Sequence, residues 1–180
     1  MANEYAALDD RLTEFIRQQR IFFVATAPLS AAGHVNLSPK GYDTFRILDP
    51  HTVAYLDLTG SGVETIAHVR ENQRVTILFC ALEGPPKTLR LYGRGEVIEA
   101  DDRAFASLRP LFPALDGVRS IIRVKLDRIA DSCGYGVPLY RYQGDRDQLL
   151  EWTRRKGPEG VRLYRGEKNR TSIDGLPGIE

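Results

Sequence analysis

Two short stretches of the chain carry residue types that bind anions. In Asn36-Leu37-Ser38-Pro39-Lys40-Gly41 a strand-like alternation ends in a cation beside a glycine, whose backbone can approach a ligand closely. In Thr59-Gly60-Ser61-Gly62-Val63-Glu64-Thr65 a glycine-rich turn opens a helical pattern, where free amides and the helix dipole favour negative charge. Both suggest the holding of a phosphate, and they could share one phosphate if the strands before them are neighbours. Each also has a plain structural reading. The first is then a β-turn with a solvated lysine. The second merely closes its own helix, because Ser61 and Glu64 have the spacing of a capping box.

Other reactive side chains offer less. His34, His51 and His68 are scattered along the chain, and a metal site needs several ligands brought together, so no metal is expected. Cys133 lies in the glycine-rich run Cys133-Gly134-Tyr135-Gly136-Val137-Pro138, where amides could stabilise a thiolate or the sulfur could simply pack. Tyr135 and Trp152 could reach a ligand or a partner subunit, but aromatic residues more often serve cores. No general acid or base stands out.

The elements that must position these loops follow from hydrophobic period. Apolar residues at Tyr5, Leu8, Leu12, Phe15 and Ile16 predict an amphipathic helix from Glu4 to Gln19. Strands are predicted over Ile21–Ala27, over His34–Ser38 ending at Pro39, and over Thr52–Leu58. A short helix should run from Val63 to Glu71. Further strands should cover Arg74–Cys80, Thr88–Glu99 with a bulge or bend at Gly93 and Gly95, and Val118–Leu126. Asp101 can cap a helix carrying Ala104, Phe105, Leu108 and Leu111. Two more helical patterns lie near Asp145–Lys156 and Glu159–Lys168, and the tail Ser172–Gly178 reads as extended. Parallel pairing would need a crossover after nearly every strand, so the expected fold is mainly β: a six-stranded, mostly antiparallel barrel with peripheral helices.

The runs Thr52-Val53-Ala54-Tyr55-Leu56-Asp57, Arg74-Val75-Thr76-Ile77-Leu78-Phe79 and Leu91-Tyr92-Gly93-Arg94-Gly95-Glu96, with the helix ending Arg70-Glu71-Asn72 and the Ser38-Pro39-Lys40-Gly41 loop, resemble the pyridoxamine 5'-phosphate oxidase-like flavoproteins. The resemblance covers Leu8 to Leu126. It implies an FMN-binding split β-barrel, a two-fold homodimer, and FMN at the subunit interface. By position it assigns Asn36, Leu37 and Ser38 to the flavin, with Pro39 and Gly41 beside them and Lys40 facing the phosphate. It places Tyr55 and Leu56 along the cofactor and Ser61, Gly62 and Thr65 at the phosphate turn. The true oxidases carry an arginine five residues before the lysine and a serine-arginine-lysine run at the helix start. Here those positions hold Val35 and Val63-Glu64-Thr65, and residues Lys168 to Glu180 do not match the terminal segment that grips the vitamin. The chain is thus expected to be a relative rather than the vitamin-making enzyme. The implied activity is an FMN-dependent oxidoreductase acting on a small molecule or electron acceptor, and removal of Lys40 is expected to weaken FMN more than riboflavin. A flavin- or haem-binding dimer without turnover, or a deazaflavin-dependent reductase, are the alternatives on the same fold.

Length and composition set the remaining bounds. The 180 residues suit a single domain, residues 1–180, in which 131–180 form a loop-and-helix extension on the barrel or the partner subunit. The 25 basic and 24 acidic residues are interspersed, so no nucleic-acid surface is expected. The longest apolar run, Ile21–Pro28, is too short for a membrane span. Two widely separated cysteines and an amino terminus without a secretion pattern fit a reducing cytoplasm.

Overall fold

The computed structural model describes residues 3–179. Its frame is one antiparallel sheet of eight strands: β1 (Glu4–Tyr5), β2 (Phe22–Thr26), β3 (Asn36–Lys40), β4 (Phe45–Asp49), β5 (Thr52–Leu58), β6 (Arg74–Cys80), β7 (Thr88–Ile98) and β8 (Val118–Ser132). The order across the sheet is β3-β2-β6-β7-β8-β5-β4, with β1 added to the far part of β8. Helices α1 (Asp10–Gln18), α2 (Glu64–Asn72), α3 (Arg103–Leu108) and α4 (Gln148–Lys168) surround it.

The sheet curls until its two flanks meet. Phe22 of β2 and Phe45 of β4 stand near opposite ends of the strand order, yet their ring centroids are 5.2 Å apart, with Tyr55 and Phe79 packed against Phe22 edge-on or tilted. Such contacts suit aromatic quadrupoles and make the interior of an incompletely closed barrel. Leu12 and Ile16 of α1, and Ile66 and Val69 of α2, join that interior cluster. Because side chains alternate along a strand, β5 feeds two cores. Val53 and Tyr55 face the interior, whereas Ala54 and Leu56 join Ile98, Ile121 and Phe112 under α3.

Several sequence expectations are corrected. Eight strands replace six, the additions being β1 and β4. The first helix starts at Asp10 rather than Glu4. Asp9 caps it by accepting from the Leu12 amide at 2.8 Å, and Glu4–Tyr5 pair instead with Ala130 and Ile129. Pro39 lies inside β3 rather than ending it. The strand is at the sheet's edge, where a missing N–H breaks no ladder on the open side. The α3 cap is Asp102 rather than Asp101, and β8 runs on to Ser132. The tail is not extended: Thr171 pairs with Pro177 and the Ser172 amide donates to the Leu176 carbonyl, closing a tight hairpin.

Two other features follow the pattern. The β7–β8 register shifts at Tyr92/Gly93. A Cβ on Gly93 would come within 2.2 Å of the Lys125 carbonyl oxygen, so only glycine fits that close approach. Helix α4 is two helices joined at Gly157, whose φ of 67° and ψ of 171° break the ladder ahead of Pro158. Among the described residues no helix is long and apolar enough to cross a membrane, and no three metal-ligating side chains gather.

Candidate functional site

Strand β3 presents two rows. Asn36, Ser38 and Lys40 are half-buried, whereas Leu37 and Pro39 are exposed on the other face. At its first residue the Asn36 amide donates to Thr65 Oγ1 at 3.0 Å and to Thr26 Oγ1 at 3.3 Å, which ties the strand to α2. Thr26 Oγ1 lies 3.0 Å from Nδ1 of His68. That ring is fully buried and its Nε2 has no partner among the described residues. Burial pushes the His68 pKa below its ordinary value, against the opposing pull of Asp174, Glu64 and Glu71, so the ring is neutral.

The other end of β3 is different in kind. Lys40 Nζ sits 3.4 Å from Oδ1 of Asp57, a wholly buried carboxylate on β5. Arg119 of β8 donates to the second oxygen, Nε to Oδ2, at 2.7 Å. Burial pushes the Asp57 pKa up, but Arg119 and Lys40 outweigh it and hold the carboxyl below its usual range. This pair also fixes the turn after β5. Arg119 Nη1 donates to the Gly62 carbonyl at 2.8 Å and to Asn169 Oδ1 at 2.9 Å, and Asn169 Nδ2 donates to the Gly60 carbonyl at 2.9 Å. Arg165 of α4 donates from Nε to Thr59 Oγ1 at 2.8 Å. With those carbonyls committed inward, Ser61 and Gly62 stand exposed on the outer side of the turn.

The capping box expected of Ser61 and Glu64 does not form. Val63 is the N-cap of α2 and no side chain caps the helix. Glu64 Oε1 instead accepts from the Ile173 amide of the C-terminal hairpin at 3.3 Å. That hairpin carries Asp174, whose carboxylate accepts from the His34 backbone amide and pairs with His34 Nδ1, both at 2.7 Å. The His34 contacts hold the Asp174 pKa below its usual range.

These tethers create a groove of about 550 Å³ lined by Asn36 and Leu37 from β3, Ser61 and Gly62 from the turn, and His34 and Lys168 from outside both. The two loops do converge on this groove, although β3 and β5 are not adjacent in the sheet. Curling of the barrel and the seat of α2 bring them together. The expected site residues nevertheless divide. Thr65 reaches the groove only through Asn36, and Pro39, Lys40 and Gly41 line a separate cavity of about 910 Å³ with Tyr42, Tyr140 and Tyr142. Four strand steps separate Asn36 from Lys40, about 13 Å at the usual rise. Tyr55 and Leu56 are 0% and 1% exposed and point into different cores. Lys168, Arg119, Arg165 and Asn169 were not singled out by the sequence pattern, which weighed His34 only as one of three scattered histidines. The one signal available was Asp57, a carboxylate in an apolar strand, which must find a buried cation.

A curled antiparallel sheet with its flanks closed by aromatic contacts, peripheral helices, and an anion-suited groove at the open edge strand defines a split barrel. A family model described as pyridoxamine 5'-phosphate oxidase matches residues 8–133, and the chain belongs to that family. It is 37% identical over 196 residues to the pyridoxamine 5'-phosphate oxidase family protein ustO of Aspergillus flavus, covering 97% of this chain and 77% of that protein. Solved structures share the fold at lower identity. HupZ of Group A Streptococcus matches with a TM-score of 0.55 at 21% identity, over 68% of this chain and 91% of HupZ. An FAD-binding protein of Mesorhizobium loti matches with a TM-score of 0.50 at 15% identity, over 73% of this chain and 96% of that one.

Proposed function

We propose that the protein is an FMN-binding oxidoreductase that works as a homodimer on a small-molecule substrate or electron acceptor. The observation that carries this reading is the convergence of Asn36–Leu37 with Ser61–Gly62 on one groove, within a fold whose relatives include a flavin-binding protein. The donor set fits the phosphate end of such a cofactor. Ser61 contributes a hydroxyl and α2 an N-terminus without a side-chain cap, while Asn36, its side-chain amide given to Thr65 and Thr26, anchors the strand beside them. Glu64, the carboxylate nearest in sequence, is occupied by the Ile173 amide.

When bound, FMN would supply the redox chemistry, and the chain's part is to hold and orient it. The open edge of β3 offers the length of a strand along which the cofactor can lie between the groove and the larger cavity. That cavity, walled by the tyrosines and by Arg20, Arg141 and Arg146, has the size of a small-molecule chamber.

The dimer reading rests on exposure. Val35 is 74% and Leu37 63% exposed beside an edge strand with an open side, an arrangement that invites pairing unless another subunit covers it. A second subunit would also exclude water from a flat cofactor. The visible spectrum of protein purified without added ligand, followed by FMN titration, tests the reading. Flavin bands or saturable FMN binding support it. A colourless protein that ignores FMN contradicts it, and a haem Soret band would point to the haem-carrying alternative.

A further inference from the structure

The groove poses a charge problem. A phosphate monoester near neutral pH carries close to two negative charges, and neither loop brings a free cation to it. Lys40 is turned onto Asp57 at 3.4 Å, Val35 is apolar, and Glu64 adds a carboxylate at the rim. Uncapped helix amides and hydroxyls supply only partial charge. The remaining cationic candidates lining the groove come from elsewhere in the chain: His34, ahead of β3, and Lys168, in the last turn of α4.

Both are placed by the C-terminal segment. Asn169, next to Lys168, is fully buried and hydrogen-bonded to the Gly60 carbonyl, so the end of α4 is locked to the turn that carries Ser61. Asp174 grips His34 twice, at the backbone amide and at Nδ1. With Nδ1–H given to Asp174, the neutral ring presents Nε2 as an acceptor, and only the imidazolium presents a donor there. The charged groups around His34 are Asp174 on the hairpin, Glu64 on α2 and Lys168 on α4. Side-chain exposure of 72% at His34 and 49% at Lys168 leaves both able to turn toward a ligand. Among the described residues Lys168 pairs only with its exposed neighbour Glu167, a contact of little worth.

We propose that His34 and Lys168 together supply the positive charge that holds the flavin phosphate, so that the C-terminal hairpin and the end of α4 are part of the cofactor site. This rests on the FMN reading above. Binding then draws a proton onto His34, and Asp174 acts as a positioning residue that aims the ring.

Titrations with FMN, riboflavin and inorganic phosphate test this on the full chain. Wild type should bind FMN more tightly than riboflavin, and inorganic phosphate should compete with FMN. Lys168→Met and His34→Gln should each lose about tenfold in FMN affinity, the usual worth of a charge-assisted contact at a partly exposed site, with riboflavin unchanged. Calorimetry in buffers of different ionisation heat should show less proton uptake on FMN binding by His34→Gln and Asp174→Asn. Unchanged melting temperatures would establish that the variants are folded. If both variants keep the FMN-over-riboflavin preference, or wild type binds the two equally, the assignment is overturned while the flavin reading stands. If wild type binds neither, the flavin reading falls, and this inference with it.

Discussion

The two ends of β3 lie about 13 Å apart and treat charge in opposite ways. At the Lys40 end a half-buried cation meets a carboxylate and a guanidinium that are folded into the protein, with Asp57 and Arg119 0% and 6% exposed. At the Asn36 end the groove is open, its hydroxyls stand outward, and the Lys168 ammonium and the His34 ring sit on exposed side chains. A buried ion pair consumes its own charge to offset desolvation. An exposed cation keeps its charge available for a ligand. The lysine that motif position selects is turned onto a buried carboxylate, whereas the histidine and lysine that no motif selects are exposed at the groove.

The largest effect that tests this contrast is on stability. Arg119→Met strips the buried partner from Asp57 and loosens Gly62 and Asn169, and should cost about 3–5 kcal/mol in urea unfolding. A loss under 1 kcal/mol, as an exposed pair would give, would mean that the Lys40 end is not dominated by buried charge.

Acid should sharpen the same point. The Asp57 pKa is held down in the folded state, so its stabilisation is present above the unfolded value of about 3.9. It is lost as pH falls through the lower folded value. The urea midpoint of wild type should therefore fall more steeply below about pH 4 than that of Asp57→Asn. Parallel profiles would show that the carboxylate is not linked to folding.

Smaller still is the expected effect of Lys40→Met. Lys40 keeps 19% side-chain exposure and its contact is long, so about 1 kcal/mol of stability should go. The FMN-over-riboflavin ratio should not move. That reverses the expectation drawn from motif position, and a selective loss of FMN affinity would restore it. On the open side of β3, Leu37→Glu should convert a dimer to monomer in light scattering at micromolar concentration. A chain already monomeric with FMN bound would refute the homodimer reading.

Much of the barrel was legible because its strands are apolar and β-branched. Thr52–Leu58 and Arg74–Cys80 fall where the pattern put them. Strand β4 escaped because Phe45–Asp49 is only partly buried, with Arg46 as its second residue, which blurs any period of two. The far part of β8 escaped because Asp127, Arg128 and Asp131 interrupt its apolar run. At the groove, the glycine-rich turn before α2 was legible, since turns and helix starts are built by neighbours in sequence. The failure of the capping box and the fate of Lys40 were not. Both depend on partners far along the chain, Ile173 for Glu64 and Asp57 for Lys40, and no local pattern encodes them.

The most direct test is a crystal structure of the FMN complex. The phosphate should lie in the groove within hydrogen-bond reach of Ser61, with Lys40 still on Asp57. Phosphate seated against Lys40, with the Asp57 contact broken, would contradict it.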